Sequence, residues 1–239
     1  MSKKVINQNT NYDFELINSI ESKFTFNERP INRLEKIITI SKEKNGNKEK
    51  ELAQLKAEIS SINNCSLKDN SKKIVLGDGN INSPIMLIGG SPGIEEDKMG
   101  LTFLGESGNL LKKMLMAIDI KKENIYSTYA INFRTPDDRK PTSMEIKKYS
   151  QFLQKHISII NPKIIILMGS SAMESLTGHN GKISTERGKW KEVIIKNISY
   201  NIMITFNPSY LLRAPENKKY SWEDLKKIKK RIINLHSDI

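Results

Sequence analysis

A single cysteine, Cys65, stands in 239 residues. One cysteine excludes an internal disulfide and suits a reducing compartment. No apolar run is long enough to span a bilayer, and Met1-Ser2-Lys3-Lys4 leads into polar sequence with no apolar signal core. The expectation is a cytoplasmic protein with no membrane partner. Gly-x-Gly-x-x-Gly is absent, so a dinucleotide-binding reading has little support. No internal repeat is visible.

Positive charge is plentiful. Lys and Arg number 39 against 27 Asp and Glu, a formal net charge of +12. That balance favours a polyanionic partner, either nucleic acid or an acidic membrane surface. A coding sequence biased toward Lys, Asn and Ile gives the same balance, so charge alone does not decide. The length suits one sizeable α/β domain plus an extension.

Two textures divide the chain. Residues 1–70 carry little β signal. Phe14, Leu16, Ile17 and Ile20 have helical spacing, as do Leu52, Leu55, Ile59 and Ile62. Between these groups, 42–50 is charged, contains Gly and Asn, and reads as a flexible linker. From about residue 71 the pattern alternates. Short apolar runs at 85–88, 125–131, 164–168 and 202–206 suit strands buried on both faces. Helical stripes lie between and after them: Leu110, Leu111, Met114, Leu115 and Ile118; then Ile146, Tyr149, Phe152, Leu153 and Ile157; then Leu225, Ile228 and Ile232. The expected fold is a three-layer α/β/α sandwich (71–239) around a mostly parallel, four-stranded sheet, with a helical N-terminal extension (1–70).

In such a sheet, ligands bind at the carboxyl ends of the strands. Gly89-Gly90-Ser91-Pro92-Gly93 follows the first run and Asn207-Pro208-Ser209-Tyr210-Leu211-Leu212-Arg213 the last. Glycines let a backbone approach a ligand and expose its N–H groups; the same loop also serves as an ordinary tight turn. Phe103 lies among turn residues and either stacks on a flat ring or caps the core. Glu106 is either a catalytic carboxylate or a complement to its helix dipole. Arg134, Arg139 and Lys140 crowd a strand-end loop, suited to phosphates or to solvent. Arg187-Gly188-Lys189-Trp190 either tracks a nucleic-acid backbone or packs. Asn207 can donate from its amide. Leu211 and Leu212 beside Arg213 have the character of an apolar wedge between bases, or of buried side chains.

The order of these pieces resembles the family 4 uracil-DNA glycosylases, which read Gly-Glu-Ala-Pro-Gly, then Gly-x-Pro-Phe-x-Gly, Arg-Pro-Pro-x-x-Arg, Arg-Gly-x-Trp and His-Pro-Ala-Tyr-Leu-Leu-Arg. The counterparts here are 89–93, 100–105, 134–139, 187–190 and 207–213, followed by Trp222-Glu223-Asp224-Leu225. The resemblance implies DNA containing a damaged base as partner, met by a monomer. It implies eversion of uracil or another deaminated base and hydrolysis of its N-glycosidic bond through an oxocarbenium-like transition state. By the same resemblance, Phe103 and Tyr129 with Gly89, Gly90, Ser91 and Gly93 form the base site, and Asn207 is catalytic. Arg134, Arg139, Arg187, Ser209, Leu211, Leu212 and Arg213 meet DNA. Three positions depart from the family: Gly90 replaces its motif-one Glu, Tyr129 its base-reading Asn and Asn207 its His. The family's four cysteines hold a 4Fe–4S cluster. Only Cys65 remains, with Phe133 and Tyr149 at two other positions, so no cofactor and no metal site are expected. Two further classes stay open: a superfamily member that binds damaged or abasic DNA without turnover, and a small-molecule enzyme at the same sheet edge.

Overall fold

The β-signal begins at residue 77 and the strands it builds form one six-stranded sheet in the order β1-β3-β2-β4-β6-β5. The structure is a computed structural model, and it describes residues 33–63 and 65–237. The strands are β1 (Gly77–Gly79), β2 (Ile85–Gly89), β3 (Tyr126–Tyr129), β4 (Ile164–Met168), β5 (Trp190–Ile195) and β6 (Ile198–Thr205). The inner four, β3, β2, β4 and β6, pair in parallel; β1 and β5 close the two edges antiparallel. The expected sheet of four strands is therefore a sheet of six. Neither edge strand carries a buried apolar run. The first is Gly-Asp-Gly, and the second is half-buried or exposed from Trp190 to Ile194, with only Ile195 buried, as suits a half-solvated edge.

The inner strands alternate their side chains between two cores, and each core is sealed by its own helices. Met86, Ile88, Ile165, Leu167, Ile202 and Ile204 point to one face. There they meet α1 (Arg33–Ser60) through Leu52, Leu55 and Ile59, and α5 (Ser143–Ile160) through Ile146, Tyr149, Leu153 and Ile157. Leu87, Ile164, Ile166, Met168 and Met203 point to the other face. They meet Leu111, Met114 and Leu115 of α4 (Gly105–Met116) and Leu225 and Ile228 of α9 (Lys218–Ser237). The remaining short helices are α2 (Ser66–Asp69), α3 (Ile94–Met99), α6 (Ser170–Thr177), α7 (Ile183–Glu186) and α8 (Pro208–Arg213).

The charged stretch 42–50, expected as a flexible linker, is helical: it lies inside helix α1. Asn47 donates to Glu51 one turn on at 2.5 Å, and Lys48 donates to the carbonyls of Ile81 at 3.1 Å and Ile160 at 2.8 Å. Lys and Glu are good helix formers, and these contacts anchor the segment despite Gly46. The chain divides into two compact units at Glu43/Lys44. The expected helix around Phe14 to Ile20 lies outside the described residues. Among the described residues, no helix is long and apolar enough to cross a membrane.

Candidate DNA-lesion cleft

The chain runs from β2 to β3 on one side and then to β4 on the other, so a switch point falls between β2 and β4. A cleft of about 500 Å³ opens there, at the carboxyl ends of the strands. Its walls include Gly90, Ser91 and Gly93 after β2, Gly169 and Ser171 after β4, and Asn207 after β6. The first loop is drawn to β3 by two added bonds, Ala130 N–H to Gly89 O at 2.8 Å and Ile131 N–H to Gly90 O at 3.1 Å. Gly90 lies so close to the next strand's loop that a Cβ would come within 3.2 Å of Ser171 Cβ.

Asn207 caps α8. Its Oδ1 accepts from the Ser209 N–H and from the Ser209 hydroxyl, both at 3.0 Å. A backbone N–H can only donate, so these bonds fix the amide's orientation and leave Nδ2 as the other arm. No partner for Nδ2 stands among the described residues. Gly169, at φ +99°, lets this residue come close: a Cβ there would sit 3.2 Å from Asn207 Cβ.

The aromatic end of the cleft is filled. Phe103 and Tyr129 lie ring against ring, centroids 5.0 Å apart and planes 39° apart. Each is only 4% exposed. The Tyr129 hydroxyl accepts from the Phe103 N–H at 2.9 Å and donates to Glu96 Oε1 at 3.4 Å. Burial, then the Glu96 charge, pushes that phenol well above its ordinary pKa of 10.0. Glu96 itself is buried; it accepts from the Leu104 N–H at 2.9 Å and the Gly93 N–H at 3.1 Å. The Gly93 N–H, expected to face a ligand, is thus occupied. Glu96 was not singled out by sequence reasoning. Its signal was the spacing: an acid three residues after Gly93 reaches back to that residue's N–H, the one half of a capping box that a glycine N-cap allows.

The other expected residues divide between rim, surface and core. Arg139, Ser209 and Arg213 line the cleft with Lys140 and Tyr210. Arg213 and Lys140 form no ion pair among the described residues, whereas Arg139 grips Glu145 at 2.9 and 2.6 Å. That grip holds the Glu145 carboxyl down at about 2. Arg134 pairs with Asp138 at 2.7 Å. Gly89 sits beneath the Tyr129 ring, where a Cβ would come within 2.6 Å of it.

Three expectations are corrected. Glu106 is exposed in the first turn of α4 and is not a wall of the cleft, so its place fits the dipole reading. Leu211 is 1% exposed and belongs to the core, leaving Leu212 and Tyr210 as the exposed apolar tip. Arg187 turns inward: its guanidinium clasps Asp224, whose side chain is fully buried, and lies over the Phe206 ring at 5.7 Å.

On the opposite core, Cys65, Phe133 and Tyr149 converge. Cys65 Sγ lies 3.1 Å from the Tyr149 hydroxyl, and Phe133 meets Tyr149 edge-on at 6.2 Å. One thiol and two rings do not fit an iron–sulfur cluster, which needs several thiolates. Among the described residues, no group of three or more His, Cys, Asp or Glu is arranged to hold a metal ion.

Known proteins share this architecture in sequence. The Type-4 uracil-DNA glycosylase of Thermotoga maritima is 34% identical over 168 residues, covering 69% of this chain and 86% of that protein. That of Sulfurisphaera tokodaii is 32% identical over 190 residues, 76% of this chain and 85% of that protein. A DNA polymerase of Bacillus phage SP01 is 30% identical over 161 residues, 67% of this chain but 17% of that polymerase. Residues 76–228, which hold the whole sheet and every wall of the cleft, match the model of the uracil DNA glycosylase superfamily. The chain belongs to that superfamily.

Proposed function

We propose that this chain holds an everted nucleotide of damaged DNA in the switch-point cleft and hydrolyses the N-glycosidic bond of uracil or another deaminated base. The observation that carries the reading is the fixed carboxamide of Asn207 at the end of β6. Bond cleavage leaves negative charge on the departing base. A preset N–H donor at that point stabilises it as the bond breaks. Arg213 and Lys140 at the rim supply charge for flanking phosphates, and Leu212 and Tyr210 supply an apolar edge beside them. Gly90 leaves the first loop without a carboxylate to activate water, so the reaction rests on leaving-group and electrostatic stabilisation and is slow.

A second reading is favoured by one observation. Tyr129 covers the face of Phe103 on which a base would stack. Under it the chain holds damaged or abasic DNA without turnover. The test is incubation of highly purified protein with duplexes carrying uracil, hypoxanthine or xanthine, followed by alkali. Cleavage at the lesion is expected for at least one base. No cleavage of any, with retained salt-sensitive binding to abasic duplex, moves the function to the second reading.

The protein is further proposed to work without iron. The support is the Cys65–Phe133–Tyr149 packing, which leaves a single thiol where a cluster would need several. Aerobically purified protein is expected to carry well under one iron per chain and to melt at the same temperature with or without a chelator. A stoichiometric iron content would overturn this.

A further inference from the structure

We propose that Tyr129 sets what this cleft accepts: a nucleotide that has lost its base enters the resting cleft, and a base enters only when Tyr129 leaves Phe103. The proposal rests on the reading that the cleft takes an everted nucleotide, and it holds whether or not hydrolysis follows.

The placement of Tyr129 is built in from several sides. Gly89 and Tyr129 are register partners on adjacent parallel strands, and only the missing Cβ at 89 lets the ring lean across. Phe103 is fixed in turn. It adopts φ +49°, a left-handed conformation rare for an aromatic residue. Lys122 holds that turn from outside, donating to Thr102 O at 2.6 Å and Phe103 O at 3.2 Å. From inside, the Phe103 N–H is bound to the Tyr129 hydroxyl.

This arrangement removes what a base needs. A planar base is held by an aromatic face and by donors and acceptors at its edge. Here both rings face each other, and the one hydroxyl between them is bound to Glu96 and to the Phe103 backbone. What remains open in the cleft is Asn207 Nδ2, the Ser171 hydroxyl and the rim cations Lys140 and Arg213. Those groups suit a sugar and its phosphates. The Tyr129 ring takes the place a base would take, so the closed cleft is complementary to the product of base loss.

The test compares two duplexes that cannot be turned over. One carries a tetrahydrofuran abasic analogue, the other 2′-fluoro-2′-deoxyuridine. The full chain is expected to bind the first at least tenfold more tightly. Tyr129→Ala is expected to bring the two within about twofold by tightening the base-bearing arm, and Tyr129→Asn to do the same with a smaller loss of packing. Tyr129→Phe keeps the ring and is expected to keep the preference for the abasic duplex. Equal affinities in the unmodified chain overturn the proposal, as does an unchanged preference in a folded Tyr129→Ala or Tyr129→Asn variant. Failure of the unmodified chain to prefer either lesion over undamaged duplex at low salt overturns the underlying reading of the cleft instead.

Discussion

Replacing Arg187 with methionine is expected to cost about 3–5 kcal/mol, the usual result of removing one partner of a buried ion pair. For a chain of this size that is a fall in Tm of roughly 10 °C. The Asp224 side chain is completely buried and receives the guanidinium, together with the Thr205 hydroxyl at 2.8 Å. Without the cation, a carboxylate would remain in the core beneath β6 and α9. Burial already raises the Asp224 carboxyl above its ordinary 3.8, against the lowering pull of Arg187 and Thr205. An acid whose folded pKa is raised binds protons more readily when folded, so its contribution to stability grows as pH falls through that window. Loss of Arg187 raises it further. The deficit of Arg187→Met relative to the unmodified chain should therefore narrow as pH is lowered from neutrality toward 3.8. Adding Asp224→Asn, which keeps an acceptor for Thr205, should restore much of the loss. An arginine proposed to face DNA behaves otherwise. Arg213→Ala is expected to leave Tm unchanged and to lower the salt slope of DNA binding by about 1. A salt slope altered by Arg187→Met in a chain of unchanged Tm would overturn the inward assignment.

The inner strands were legible because burial on both faces writes a continuous apolar run. The segments at 85–88 and 164–168 fall within β2 and β4, and 202–205 lies in β6, which begins earlier at Ile198 and ends one residue short of the expected run. The run at 125–131 forms a shorter strand, Tyr126–Tyr129. The edge strands were not legible. Gly77-Asp78-Gly79 is strand only because it borders Tyr126, Ser127 and Thr128, a partner some fifty positions away. The segment 42–50 misled because composition was read without its tertiary anchors. Lys48 finds the carbonyl of Ile160, 112 positions along the chain.

At the cleft, position along the chain was more legible than direction of the side chain. The glycine loop expected at the end of the first apolar run borders the cleft through Gly90 and Gly93. Arg187 and Arg213 both stand at the end of a short helix, but one finds Asp224 thirty-seven positions on and the other faces the cleft. Leu211 and Leu212 are neighbours on a six-residue helix, about 100° apart around its axis, and only Leu211 reaches the core. The sequence alone does not say which of the two goes inward. Tyr129 was legible as a departure from the family pattern. Its meaning needed Gly89 beneath it and Glu96 beside it, neither of which is adjacent in sequence.

Asn207 offers the sharpest separation of chemistry from architecture. Asn207→Ala is expected to slow single-turnover excision of the preferred base by roughly 10²–10³-fold, the usual consequence of losing one preset donor to a developing anion. It also removes the cap of α8, with a stability cost of about 1 kcal/mol, which confounds the rate. Asn207→Asp does not share that defect. Aspartate caps as well as asparagine, and one carboxylate oxygen can accept from the Ser209 N–H and hydroxyl as Oδ1 does at 3.0 Å. Its other oxygen replaces Nδ2 and puts negative charge where the departing base gathers its own. The Tm should stay within a degree or so of the unmodified chain, while excision falls at least as far as in Asn207→Ala. Affinity for the abasic duplex should fall as well, because Nδ2 also faces the sugar of an abasic nucleotide, but by less than excision does. Excision by Asn207→Asp at the rate of the unmodified chain would remove Asn207 from the reaction and leave it only the cap of a six-residue helix.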